Sequence, residues 1–263
     1  MPLHAVESAS LGDLVFKQLS AEIISGRYAQ GSWLPAERAL TEVFRVNRHV
    51  VREALKRLAQ VGLVKVSPGG GTQVIDFKQH AGLDLLVPLA EYTRSGGDTT
   101  ATWFSVLEMR AALAADAVRL CTRRAPPALK TELLEITKQM SATLDGSRLF
   151  ALELRFWDSI LTGAENIAYR LAFNTMLKGT RAMAQSGKSW IIAEAKRRSA
   201  RVAIAEAILA GDEERAHAVA THALREALEQ ALPSGTRSSA RALTTKSAAK
   251  TKRSKNAPRS PSR

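Results

Sequence analysis

The stretch WLPAERALTEVFRVNRHVVREALKRLAQVGLVKVSPGGGTQVID, residues 33–76, decides the fold of the first part of the chain. Pro35 suits the first turn of a helix, because the N–H that proline lacks has no partner there. Residues 36–44 are predicted to form this helix. Its apolar side carries Leu40, Val43 and Phe44. A tight turn at residues 45–46 leads to Asn47, whose side chain is a good N-cap for a second helix.

The second helix has an apolar face and a cationic face when successive residues are placed about 100° apart. The apolar arc holds Val50, Val51, Ala54, Leu55 and Leu58. The opposite arc holds Arg48, His49, Arg52 and Lys56. Two predicted strands follow at residues 63–66 and 72–75, and the glycines of residues 68–71 permit the positive φ values of a tight loop between them. Helix, turn, helix and glycine-tipped hairpin together indicate a winged helix-turn-helix.

Helices are predicted on both sides of this stretch. The amphipathic helix at residues 11–25 is expected to complete the core of the winged unit, and Gly26 ends it. Its apolar face carries Leu11, Leu14, Val15, Leu19 and Ile23. Beyond the wing, the predicted helices span residues 83–94, 101–124, 126–144, 148–161, 166–185, 189–209 and 213–232, with breaks at Gly163, Gly187 and Gly211. The predicted fold class is mainly α: an N-terminal winged helix-turn-helix plus a C-terminal all-α helical bundle of six or seven helices.

The charges divide the chain into a nearly balanced body and a basic tail. Residues 1–76 carry 9 basic and 7 acidic side chains, residues 77–233 carry 20 and 18, and residues 234–263 carry 9 and none. Burial cannot offset the ordering entropy of a tail with so few large apolar side chains, so we expect it to be disordered. The predicted divisions are a winged domain at 1–76, a linker at 77–82, an all-α domain at 83–233 and the tail at 234–263.

Cysteine usage and hydropathy limit the class of protein. The single cysteine, Cys121, excludes a disulfide framework, suits a reducing compartment and is expected to be a small core residue. No stretch approaches the ~18 apolar residues of a membrane span, and residues 1–10 lack the regions of a signal peptide. These features predict a cytoplasmic protein without a membrane partner.

The runs LPAERAL, VNRHVVREALKRL, GLVKV and GGGTQV resemble, at this spacing, the DNA-binding domain of the GntR superfamily of bacterial transcription regulators. The resemblance covers most of residues 11–76 and implies double-stranded DNA as the partner, with the wing in a minor groove. Together with the cationic arc, it predicts a DNA-binding set of Arg38, Asn47, Arg48, His49, Arg52, Lys56, Gly70 and Thr72. The family usually has Ser or Thr at the position of Asn47, which leaves capping intact but can alter a phosphate contact.

The chemistry of arginine agrees with this set. Its planar fork matches guanine O6 and N7 bidentately, and Arg48 and Arg52 lie one turn apart at the start of the helix that would enter the major groove. Four polar residues on one helix face can also be merely solvated. The turn, the cap and the glycine wing favour the DNA-binding interpretation, because all three features agree with it.

The helical half resembles the FadR branch of the same superfamily, whose C-terminal FCD-type domain binds a small effector. LEMRAAL, around Arg110, and FALELRFWDSILTGAENIAYRLAFNTM, around Asn166, carry this resemblance over residues 83–232. The implied effector-binding set is Arg110, Glu153, Trp157, Asn166 and Arg201. The implied ligand is acidic, either a small carboxylate or an acyl-coenzyme A.

Many members of that branch hold a divalent metal with one acidic residue and three histidines. Here Glu153 stands at the acidic position, Trp157 at the first histidine, Arg201 at the second, and His222 near the third. An indole has no lone pair to offer and a guanidinium stays protonated, so neither ligates a cation. We therefore expect no metal and no cofactor. Instead, Glu153 and Arg201 are predicted to form a salt bridge inside the bundle, with Trp157 filling the space of the absent histidine.

Other interpretations stay open at this point. Aromatic residues at helical spacing, such as Phe156 and Trp157, are more often core than pocket, and Arg110 or Arg201 could form a purely structural ion pair. An enzyme is disfavoured, because no glycine-rich phosphate loop, nucleophile elbow or HExxH motif is present. A ligand-independent, nucleoid-like DNA-binding protein is the second alternative, and the basic tail favours it. We predict a homodimer, because two helices related by two-fold symmetry read a palindromic operator.

Overall fold

The computed structural model describes residues 10–182 and 198–231. The described chain forms two compact units. The first lies within Met1–Trp103 and Ile167–Ser189, and the second within Phe104–Asn166 and Trp190–Arg263. This division differs from the predicted domain boundaries, which stay a prediction. The predicted helix start at Ser189 and the basic tail lie outside the described residues.

Helix α1, Leu11–Ile24, begins with a capping box in which Ser10 and Asp13 exchange side-chain and backbone hydrogen bonds of 3.0 to 3.1 Å. Its buried residues are Val15, Phe16, Leu19, Ser20 and Ile23. Leu11 and Leu14 were expected on the buried face but are 57% and 52% exposed. The buried face of α1 includes Phe16 and Ser20 and therefore does not include Leu14. Leu11 lies in the first turn of the helix.

Helix α2, Glu37–Phe44, is short and buries only Leu40 among its side chains. Val43, predicted on the apolar side, is 71% exposed. A helix of only eight residues places few side chains toward the core, and here only Leu40 is buried. Pro35 precedes the N-cap residue Ala36 instead of lying in the first turn. The helix ends at Arg45, which adopts the left-handed conformation at φ 52° and so reverses the chain toward the next helix.

Helix α3, Arg48–Gln60, follows directly. Asn47 Oδ1 accepts the N–H of Val50 at 3.0 Å, so the predicted N-cap is confirmed. The buried residues are Val51, Ala54, Leu55 and Leu58, which confirms the apolar arc apart from the half-buried Val50. Arg57 binds Asp13 and stacks 4.3 Å from the Phe16 ring, which ties α3 to α1.

The wing is an antiparallel hairpin of β1, Val64–Ser67, and β2, Gly71–Val74. Gly70 N–H donates to the Ser67 carbonyl at 3.0 Å, and Gly69 has φ +70°, as a turn with the sequence Pro-Gly favours. Gly71 has φ +93°, and a Cβ there would meet the Trp33 ring at 3.4 Å. Strand β1 begins one residue later than the predicted strand at 63–66, and β2 begins one residue earlier than the predicted strand at 72–75. The predicted glycine tip is confirmed.

The first unit is completed by helices that follow the wing. They are α4, Phe77–His80, a 3-10 turn at Leu83–Leu85, α5, Leu86–Arg94, and later in the chain α9, Ile167–Ala182. Helix α5 packs against α1 and α9, and Lys17 pairs with Glu91 at 3.0 Å. Helix α5, which a purely sequential division assigns to the all-α half, therefore packs directly on the first helix of the winged unit, and α9 packs on α5.

The described residues of the second unit form helices and no strand. Helix α6, Thr100–Arg124, enters it at Phe104 and is followed by α7, Pro127–Ala142, α8, Gly146–Ala164, α10, Arg198–Ala210, and α11, Glu213–Ala231. Helix α10 packs against α7 and α11, and α7 packs against α8. After the wing, the described residues contain eight α-helices, one 3-10 turn and no strand, so the mainly α fold class is confirmed.

Gly163 was predicted to break a helix but lies inside α8. A Cβ there would meet Cys121 Sγ at 2.7 Å and Ala125 Cβ at 2.8 Å, so glycine permits close packing of α8 on α6. Cys121 is fully buried, as predicted, and desolvation raises the pKa of its thiol to about 12. Within the described ranges, no helix is long and apolar enough to cross a membrane.

Candidate nucleic-acid interface and buried charge cluster

The exposed face of α3 presents two arginines that share one carboxylate. Arg48 Nε lies 2.8 Å from Glu37 Oε2, and Arg52 Nε lies 3.2 Å from both oxygens of the same group. The two arginine side chains are 69% and 57% exposed, whereas that of Glu37 is 27% exposed. The hydrogen bond from Arg48, and then that from Arg52, lowers the pKa of Glu37, so this carboxylate stays ionised at neutral pH.

The remaining predicted contacts of the two helices are at the surface. Arg38 is 92% exposed and pairs with Glu42 at 3.3 Å, and Lys56 is 74% exposed and pairs with Glu53 at 2.9 Å. His49 is exposed on the same turn of α3 as Arg48. Pairs this exposed contribute little to stability and can be exchanged for phosphate contacts.

The wing presents a different set from the one predicted. Gly70 is exposed at the tip, but Thr72 is only 6% exposed, although its partner across the hairpin, Val66, is 44% exposed. We therefore remove the Thr72 side chain from the predicted surface. Lys65 is exposed, whereas Gln73, its partner across the hairpin, is half-buried and donates from Nε2 to the Gly31 carbonyl at 2.9 Å.

The second unit contains a buried ion pair. Glu153 on α8 and Arg201 on α10 are 2% and 1% exposed, and Arg201 Nη2 lies 2.5 Å from Glu153 Oε1. Arg201 Nε donates to both carboxylate oxygens at 3.0 and 3.1 Å. Trp157 Nε1, one turn along α8, donates to Oε1 at 2.7 Å. The predicted salt bridge inside the bundle is confirmed, and the indole supplies a third donor.

Arg110 of α6 joins this cluster through the indole. Its guanidinium carbon lies 5.5 Å from the centre of the Trp157 ring, and that of Arg201 lies 5.2 Å from it. Two guanidinium groups thus lie within cation–π distance of the same indole ring. Cation–π attraction is stronger where water is excluded. Phe156 packs edge-on against Trp157, with ring centres 5.6 Å apart.

Asn166 follows the left-handed residue Glu165 that ends α8, nine residues beyond Trp157. The contacts described above join Arg110, Glu153, Trp157 and Arg201. The place of Asn166 in the effector-binding set stays a prediction.

The donors at this position do not fit a divalent cation. Both oxygens of Glu153 accept hydrogen bonds from a guanidinium that stays protonated, and the Trp157 nitrogen is itself a donor. His222 is 77% exposed on α11 and faces Glu226 at 3.9 Å. In the part of the chain that the structure describes, no three His, Cys, Asp or Glu side chains are grouped as a metal site requires.

The chain matches two family descriptions that cover these two regions. Residues 11–74 match "Bacterial regulatory proteins, gntR family", and residues 105–226 match the FCD domain. A relative from Mycobacterium tuberculosis, the HTH-type transcriptional regulator Mce2R, is 34% identical over 212 residues, which cover 81% of this chain and 88% of the relative. The protein belongs to the GntR family. Its members with an FCD domain are DNA-binding transcriptional regulators, not enzymes.

Other relatives carry more specific names. The fatty acid metabolism regulator protein of Edwardsiella ictaluri is 30% identical over 175 residues, which cover 66% of this chain and 70% of that protein. A solved structure of Streptococcus agalactiae GntR covers 84% of this chain and is itself covered completely, with 20% identity and a TM-score of 0.42.

Sequence reasoning about this GntR-family chain missed Glu37. It lies within LPAER, 11 residues before Arg48 and 15 before Arg52. Nothing in its spacing indicates that it faces them, since the contact depends on how α2 crosses α3. The only sequence signal is an acidic residue immediately before the predicted DNA-binding Arg38.

Proposed function

We propose that this protein is a sequence-specific regulator that binds a palindromic operator as a homodimer and responds to a small acidic effector. The observation that carries the DNA-binding part is the exposed pair Arg48 and Arg52 at the capped start of α3. Arginines in this position reach guanine edges when a helix enters the major groove. A protein that acts on the chromosome in this way works in the cytoplasm.

The test of base reading is a binding-site selection from random duplexes. Arg48→Ala and Arg52→Ala should each relax base preference at one operator position and cost ~1–3 kcal/mol of specific binding. Lys56→Ala is the matched control on the same helix, and it should weaken all duplexes about equally. If the Arg52→Ala protein returned the wild-type motif at wild-type affinity, Arg52 would not read a base.

The nucleoid-like alternative makes a different prediction about the basic tail. Nine cations without an acid should add counterion release, so the full chain should show a steeper fall of log K with log salt than a chain ending at residue 233. Under our proposal the shortened chain keeps its preference for the selected operator. Loss of that preference together with the tail would favour the alternative.

The effector part rests on the cluster around Trp157. Arg110 is half-buried and its guanidinium carbon lies 5.5 Å from the centre of the indole ring, whereas Arg201 is 1% exposed. Arg110 is the more accessible of the two cations, and we assign it to the acidic group of an effector, either a carboxylate or an acyl-coenzyme A. Relatives named as fatty acid metabolism regulators favour the second ligand. Binding would favour one arrangement of the dimer and so change operator affinity.

Calorimetric titration separates the ligand classes, with short carboxylates, fatty acids, acyl-coenzyme A and coenzyme A alone as probes. Arg110→Ala should abolish the heat of the true ligand, and Arg155→Ala, at an exposed arginine on α8, should preserve it. A ligand that bound both variants equally would place the effector elsewhere.

A further inference from the structure

We infer that Glu37 is a specificity-determining residue that positions Arg48 and Arg52 together for base reading. It does not contact DNA in this proposal. The inference rests on the proposed base-reading role of the two arginines and adds the group that holds them in place.

The geometry of the shared carboxylate supports this role. Glu37 accepts hydrogen bonds from the Nε atoms of both arginines, at 2.8 Å from Arg48 and 3.2 Å from Arg52. Within the described ranges, the Nη atoms of these two arginines make no hydrogen bond. A guanidinium that is held by Nε can still present its two Nη groups to guanine O6 and N7.

Holding both side chains before binding reduces the entropy that they lose in the complex. Long arginine side chains have many rotamers, and fixing such a side chain at an interface costs conformational entropy. Glu37 is suited to this task because it is three-quarters buried by its surroundings and lies on a separate helix, α2. The exposed pair Arg38 and Glu42, on a single helix, lacks both properties.

The test compares Glu37→Gln with Glu42→Gln. Each change removes one negative charge from α2, so both should raise affinity for random duplexes to a similar extent through the phosphates. Only Glu37→Gln should lower the ratio of operator to random-duplex affinity, by about tenfold or more, as expected when two base-reading contacts lose their orientation. Binding-site selection should then show weaker base preference at the positions of both Arg48 and Arg52.

A second variant separates position from charge. Glu37→Asp keeps the negative charge, but its side chain is one methylene shorter and cannot reach both guanidinium groups as Glu37 does. It should lower the specificity ratio without raising random-duplex affinity. Circular dichroism of each variant checks that the winged unit stays folded.

Two outcomes would overturn the inference. An operator preference equal to that of Glu42→Gln would show that Glu37 positions nothing, and a rise in operator affinity above wild type would show that Glu37 competes with DNA instead. Arg52→Ala is measured in parallel. If it also left the motif unchanged, the proposed base reading itself would fail, which is a result distinct from failure of Glu37 alone.

Discussion

Removing the carboxylate of the buried ion pair should destabilise the second unit strongly. In Glu153→Gln, the Arg201 charge stays in a site that is 1% exposed but loses its ionic partner. Two unit charges ~4 Å apart attract by about 4 kcal/mol at an effective dielectric constant of 20. Breaking buried pairs by removing one partner costs about 3–5 kcal/mol, and we expect a loss of this size in the free energy of unfolding.

The chain offers a matched control on the same helix. Arg155 of α8 pairs with Glu132 of α7 at 2.7 Å, with side chains 52% and 40% exposed. Because water screens this pair, Glu132→Gln should cost ~0–1 kcal/mol. The contrast between the two Glu→Gln variants measures the effect of burial, since the chemical change is identical.

Urea unfolding followed by circular dichroism gives the total change, and hydrogen exchange at the amides of α8 and α10 assigns it to the second unit. This assignment matters because a chain of two units need not unfold in one transition. A combined Glu153→Met and Arg201→Met protein should recover much of the stability, since apolar replacement removes both desolvated charges. Equal losses in Glu153→Gln and Glu132→Gln would refute the reasoning.

Three further outcomes follow from the packing and the charges. Gly163→Ala should cost ~1–3 kcal/mol in urea unfolding through overpacking against Cys121, whereas Gly12→Ala, whose Cβ meets only Ser10 Oγ at 3.6 Å, should be neutral or stabilising. Cys121, with its pKa raised to about 12, should resist iodoacetamide at pH 8 in the native protein and react once urea unfolds it, as intact mass will show. The hydrogen bond from Arg57, and then those from Ser10, lower the pKa of Asp13, so its stabilisation is present above pH ~4 and is lost as the pH falls through the lower folded value. Asp13→Asn should therefore flatten the acid limb of a stability-versus-pH curve, and an unchanged limb would contradict this.

Local features of the fold were predictable because their causes are local. Asn47 caps α3 through a bond to a residue three positions away, and the Pro68-Gly69 pair turns the wing by its own backbone preferences. The apolar arc of α3 follows from helical periodicity. The resemblance to known regulators added the pairing of Glu153 with Arg201, which lie 48 positions apart. Spacing alone carries no information about such a contact.

The sequence by itself determined where helices, turn and wing form, because hydrogen bonds and φ preferences between near neighbours decide these elements. Tertiary packing decided which faces are covered: Leu11, Leu14 and Val43 are exposed, Thr72 is buried, and Gly163 lies inside a helix. It also decided that Glu37 meets both Arg48 and Arg52, since that contact exists only after α2 crosses α3. A side chain's partners across two helices depend on the crossing geometry, and that geometry is set by the whole core.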